Sequence, residues 1–176
     1  MRAYLNNTEL KIFNTIVYPA PYIKHQTAEF VNFKLNKPSV LKIECDTMPQ
    51  TVNIRPKRYN IEYSINGNVI EIQINEPCNF SVELNGDITD GLMVFAGCDS
   101  KIDMSGFDNV ITLKKGRHFA DEIHINIDNT LVYFEDGAYV DGKIIAKDCN
   151  NLTIAGLGII SMEKYSREGG RYTAVY

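Results

Sequence analysis

Seven carboxylates crowd residues 121–148: Asp121, Glu122, Asp128, Glu135, Asp136, Asp141 and Asp148. Paired carboxyl groups can do acid/base hydrolysis, in which a protonated acid and a carboxylate base roughly 6.5–9.5 Å apart leave room for the attacking water. Most of these acids fall at turns or opposite a lysine. A carboxylate beside Lys is held ionised, the opposite of what a general acid requires. None of the seven is therefore assigned a catalytic role. His118 and His124 flank one strand-like run and His25 stands alone in a loop. No Ser-His-Asp order, metal-ligand spacing or Gly-rich phosphate loop accompanies them, so no catalytic, cofactor-binding or metal-binding residue is assigned and no cofactor is expected. The segment Ser166-Arg167-Glu168-Gly169-Gly170-Arg171 carries two arginines of the kind that suit carboxylates, yet it reads as a solvated loop. Tyr18, Tyr22 and Tyr59 are candidate ring platforms, with core packing the ordinary alternative, and the chain has no tryptophan.

The elements that could position such groups must come from 176 residues with 44% apolar content, enough for one good core or two small ones. The net charge of -4 and the lack of any Lys/Arg cluster exclude a nucleic-acid partner. Apolar runs such as residues 16–22 are too short and too interrupted by proline to span a bilayer, so no membrane partner is expected. The start, Met1-Arg2-Ala3-Tyr4-Leu5-Asn6-Asn7, turns polar where an export signal needs a continuous apolar stretch. A cytoplasmic protein is expected, or a secreted one if a leader precedes this start. Cys45, Cys78, Cys98 and Cys149 are scattered without any Cys-x-x-Cys pair and read as buried free thiols.

Up to Phe95 the chain is a series of short β-branched and aromatic runs separated by Pro, Gly and Asn, with no helical periodicity. Strands are expected over residues 10–18, 28–35, 40–45, 51–55, 61–65, 69–74, 80–84 and 92–95, enough for two packed sheets. Ile65-Asn66-Gly67-Asn68 predicts a hairpin with a type I′ turn at Asn66-Gly67. Beyond it Ile70, Ile72 and Ile74 alternate with Glu71 and Gln73, giving one buried and one wet face.

The last third repeats. Asn109-Val110-Ile111-Thr112-Leu113, Thr130-Leu131-Val132-Tyr133-Phe134 and Asn151-Leu152-Thr153-Ile154-Ala155 follow one another at an offset of 21, as do Gly116, Gly137 and Gly158. A β repeat of that length means a solenoid, and the leucine-rich-repeat frame is absent. A parallel β-helix fits. Its register would stack Lys114 on Glu135, Lys115 on Asp136, Glu122 on Lys143 and Lys147 on Glu168, always opposite in sign. Asp108, Asn129 and Asn150 form a polar column at the turns, read as a turn-forming ladder. The expected class is all-β: an N-terminal β-sandwich over residues 1–97, followed by the first 21-residue coils of a right-handed parallel β-helix over residues 98–176.

Gly137-Ala138-Tyr139-Val140-Asp141-Gly142-Lys143-Ile144-Ile145 and Asn151-Leu152-Thr153-Ile154-Ala155-Gly156-Leu157-Gly158-Ile159-Ile160 resemble the opening coil of the pectin-lyase-like β-helix proteins, in particular the polygalacturonase family (glycoside hydrolase family 28). Upstream, Asn53-Ile54-Arg55-Pro56 and Phe80-Ser81-Val82-Glu83-Leu84-Asn85-Gly86-Asp87 resemble the sandwich that precedes the β-helix in some bacterial members. Dextranase-type enzymes are similar in pairing the two folds. The resemblance implies the N-terminal portion of a polysaccharide-degrading enzyme that hydrolyses O-glycosyl bonds of pectin-like glycans, with a polysaccharide or oligosaccharide as partner.

Two departures stand against activity in these residues. The family places Asp-Gly after the Gly-x-Gly-apolar segment, whereas this chain has Ser161-Met162. Its catalytic set of Asn-x-Asp, Asp-Asp, Gly-His-Gly and Arg-x-Lys lies on later coils, and no stretch of this chain is expected to match any of them. A non-catalytic carbohydrate-binding or assembly module with a short β-helix is the alternative. The last coil has no helix to cover it, so a further part of the protein, a fold-back of residues 164–176 or an end-to-end homo-oligomer is expected there.

Overall fold

The computed structural model describes residues 1–17, 26–98, 102–165 and 174–175. The chain divides into two compact units, Met1–Cys98 and Asp99–Tyr176. No helix among the described residues is long and apolar enough to cross a membrane.

The first unit consists of β1 (Arg2–Leu5), β2 (Thr8–Leu10), β3 (Phe13–Val17), β4 (Gln26–Lys34), β5 (Ser39–Glu44), β6 (Val52–Arg55), β7 (Tyr63–Asn66), β8 (Val69–Ile74), β9 (Cys78–Leu84) and β10 (Asp87–Gly97). They form two five-stranded sheets, β2-β1-β5-β8-β7 and β3-β4-β10-β9-β6. Leu41, Ile43, Ile70, Ile72 and Ile74 from the first and Val31, Val82, Leu92 and Val94 from the second share one buried core. The alternation of β8 is as expected, with its isoleucines buried and Glu71 exposed. A shared core between two sheets is what makes the unit a sandwich.

Several local expectations are corrected here. The strand expected over residues 10–18 is split, because Leu10 ends β2 while β3 begins at Phe13. The β1–β2 hairpin at the start has no counterpart in the expected strands; its turn, Asn6-Asn7, has both residues at positive φ. The hairpin between β7 and β8 is present, but Asn66 faces Val69 and Gly67 alone in the turn has positive φ. That is the backbone of a type II′ turn with glycine at its first central position. The type I′ pattern lies instead at Asn6-Asn7, between β1 and β2, and at Asn85-Gly86, between β9 and β10. Cys45 is buried, but Cys98 is exposed.

The second unit has β11 (Asn109–Leu113), β12 (Gly116–Ile125), β13 (Thr130–Phe134), β14 (Ala138–Ala146), β15 (Thr153–Gly156) and β16 (Ile159–Ser161). They stack as two parallel sheets, β11-β13-β15 and β12-β14-β16. Ile125, Val132, Phe134, Ala138, Val140 and Ile144 fill the lumen. Successive coils that stack in parallel around one core form a parallel β-helix.

The 21-residue register holds from β11 to β13, where Asn109 faces Thr130. It does not hold throughout. Leu131 faces Thr153, one residue late, and Tyr139 faces Ile159, one residue early. The third coil takes the corner with residues 157–158 where the second uses 135–138, so strand pairing overrides the fixed period. Gly137 has φ +80°, whereas Gly158 is not at positive φ and Gly156 is, at +113°. The polar column shifts likewise: Asn129 donates to Asp108 and accepts from Asn151, while Asn150 donates its backbone N–H to Asp128. The ladder exists, with Asn151 in the place expected for Asn150.

Glu122 and Lys143 form the expected ion pair at 2.8 Å. Lys114 and Lys115 form no ion pair with Glu135 and Asp136 among the described residues; on that side Gly116 faces Ala138, one residue past the 21-residue offset. The Glu135 carboxylate accepts the backbone N–H of Lys115 instead. Glu168, expected beside Lys147, lies outside the described residues.

Candidate functional site

The outer face of the β12-β14-β16 sheet gathers the chemically equipped side chains, and a β-bulge sets their order. Phe119 faces Asp141 and Glu122 faces Lys143, so Ala120 and Asp121 together oppose Gly142. The extra residue switches the parity of β12: Arg117, Phe119 and Asp121 point outward before the switch, and Glu122 and His124 after it. Without it Ile123 and Ile125 would turn to solvent. The bulge is possible because position 142 is glycine, for a Cβ there would lie 2.0 Å from the Ala120 carbonyl oxygen.

Four outward side chains on two coils form a compact cluster. Arg117 lies over Tyr139 and Phe119 over Asp141 in the register. Across the diagonal, Arg117 donates from Nε at 2.6 Å and from Nη2 at 3.2 Å to the two oxygens of Asp141. The guanidinium carbon also sits 5.2 Å from the ring centres of both Phe119 and Tyr139. The Asp141 carboxylate raises the affinity of Arg117 for its proton. Asp141 is 7% exposed although it faces outward, whereas Phe119 is 79% exposed, the most exposed large apolar side chain described.

The third coil contributes a strap. Beyond Ser161, the Lys164 ammonium donates at 2.8 Å to Asp121 and at 3.1 Å to the Ala120 carbonyl, and the Tyr165 hydroxyl donates to the Asp121 carbonyl. Residues of coil three thereby reach the bulge of coil one. The chain then returns to the sheet, where Ile144 donates its N–H to Ala174 and pairs in parallel with Val175. Of the endings expected for the last coil, a fold-back of the tail fits this contact. The lower side of the coil still shows, for Ile154 remains 38% exposed.

None of the expected carboxylates is arranged as a general acid. The hydrogen bond from Lys143, followed by its charge and the contact with His124, keeps Glu122 below the usual carboxylate range. Lys164 does the same to Asp121. Asp128 caps the turn at Asn150, Glu135 caps Lys115, Asp136 lies in a turn and Asp148 holds a left-handed backbone, φ +53°. The spelling Asn-x-Asp does occur at Asn126-Ile127-Asp128 and at Asn85-Gly86-Asp87, and Arg-x-Lys at Arg55-Pro56-Lys57. Asp128 is the turn cap just described, and the other two lie in the sandwich. His118 contacts the Lys114 carbonyl through Nε2 at 2.6 Å, and His124 pairs with Glu122 at 2.8 Å. Tyr59 is half-exposed beneath Arg58. A shallow depression of about 230 Å³ lies nearby, lined by residues including Pro56, Lys57, Asn60 and Tyr63. Tyr18, Tyr22, His25 and residues 166–171 lie outside the described residues. No group of three His, Cys, Asp or Glu among the described residues is placed to hold a metal ion.

Sequence reasoning missed Phe119 and Arg117. The signal was available: Arg117 and Phe119 sit two apart, on one strand face, and an outward phenylalanine breaks the apolar-in pattern.

No protein-family model and no curated protein sequence matches the chain. Among solved structures it is similar to Dex49A from Penicillium minioluteum, with a TM-score of 0.53 and 21% identity, over 79% of this chain. That protein is a dextranase with a β-helix fold, and the present chain spans 36% of its length. The likeness is one of architecture, an all-β chain with β-helix coils, and it extends to the fold alone.

Proposed function

We propose that the chain is the front portion of a polysaccharide-degrading glycoside hydrolase, with the reacting carboxylates on coils outside these residues. The carrying observation is the order of a β-sandwich and a parallel β-helix, an architecture shared with a dextranase over 79% of the chain. The ion-paired carboxylates on the coils described here support placing the chemistry elsewhere. The coil motifs favour a polygalacturonase-like enzyme acting on pectin-like glycans, and the structural neighbour favours a dextran-type glucan.

The test is hydrolysis of polygalacturonate and of dextran, read as reducing sugar, by the 176-residue chain and by the longest protein that its reading frame encodes. Release by the longer protein alone supports the proposal. Release by the 176-residue chain, lost on mutating Asp136 or Asp141, overturns it. The second reading, a non-catalytic carbohydrate-binding module, draws on the exposed Phe119 ring. A stop codon directly after Tyr176 supports it.

A further inference from the structure

We propose that the outer face of the first two coils is a docking surface for an uncharged glycan, with Phe119 as its stacking platform and Arg117 as its hydroxyl donor. The inference rests on the carbohydrate reading above and narrows it from polysaccharides in general to neutral ones.

The first ground is the ring. Exposing a whole phenylalanine side chain forgoes the gain from burying it, and nothing in the coil requires an apolar residue on its outside. The ring is also ordered from beside: Arg117 is fixed to Asp141 by two hydrogen bonds and lies against both Phe119 and Tyr139. A flat, exposed ring with polar donors alongside suits a sugar, whose C–H faces are apolar and whose rim is hydroxyl.

The second ground is the charge count, which separates neutral from acidic sugars. The cations Arg117, Lys143 and Lys164 are matched one to one by Asp141, Glu122 and Asp121, at 2.6, 2.8 and 2.8 Å. His124 is engaged with the same Glu122. A uronate carboxylate would have to displace one of these carboxylates, and the released anion would then repel it. A neutral hydroxyl displaces nothing. The guanidinium has five N–H donors, and its Nη1 pair is not used on Asp141.

Affinity electrophoresis of the 176-residue chain through gels containing dextran, a neutral glucan, or polygalacturonate tests this directly. Retardation by the neutral polymer, little or none by polygalacturonate, and about tenfold weaker retardation for Phe119→Ala is expected, as for an aromatic anchor at a binding surface. Phe119→Trp should bind at least as well as the wild type, and an unchanged thermal transition in both variants would show that folding is intact. Binding to polygalacturonate as strong as to the glucan overturns the neutral assignment. Equal retardation of wild type and Phe119→Ala, or no retardation by dextran, overturns the platform. So does loss of a dimer in Phe119→Ala with glycan binding unaltered, since the ring would then serve self-association. The hydrolysis assay on the longer protein is independent of Phe119, so it can fail or succeed separately.

Discussion

Gly142→Ala is a severe test of the bulge that orders the outer face. A Cβ at this position would lie 2.0 Å from the Ala120 carbonyl oxygen and 3.0 Å from its carbon. A carbon and an oxygen that are not bonded rest at about 3.3 Å or beyond, so the two coils must part locally by about 1.3 Å. Strands held at about 4.8 Å cannot open that far and keep the hydrogen bonds on either side. Overpacking costs about 1–3 kcal/mol and the backbone bonds on either side about 1 kcal/mol each, so the variant should lose about 3–5 kcal/mol. Urea unfolding followed by far-ultraviolet circular dichroism, with linear extrapolation, measures this loss. Gly106→Ala is the control in the same unit: a Cβ there meets nothing within 4 Å, and a change within about 0.5 kcal/mol is expected. If Gly142→Ala stays within 1 kcal/mol of the wild type while the control behaves, the close approach is not structural and the reasoning fails.

Gly137→Val should destabilise the second unit by about 1–3 kcal/mol, because φ there is +80° and a Cβ would press to 3.3 Å from the Lys115 stem. An unchanged urea midpoint would refute it. The Asp121 and Glu122 carboxylates are held below their ordinary range by Lys164 and Lys143. Their contribution to stability is therefore full above the unfolded-state values and is lost as pH falls through the depressed folded-state ones. Glu122→Gln should flatten the fall of the urea midpoint between about pH 5 and pH 3 relative to the wild type, and parallel profiles would sink the claim.

The sequence by itself carried the class of fold, because hydrophobic periodicity and turn chemistry are local. The isoleucine alternation of β8 and the repeated β runs needed no partner to be legible. The ion pair of Glu122 with Lys143 was legible too, since stacking at a fixed offset brings opposite charges together. Tertiary structure decided what depends on pairing between coils. Strand register tracks backbone hydrogen bonds rather than residue count, so one extra residue ahead of β15 moved the ladder to Asn151, and the shortened corner after it goes with a positive-φ glycine at position 156. The bulge at Ala120-Asp121 was likewise invisible, because one extra residue leaves no mark until its partner strand is known to hold Gly142. That bulge places Phe119 outward beside Arg117 and gives both Asp121 and Glu122 a lysine. The face was therefore composed by the contact of one coil with the next, and no single segment of the sequence contained it.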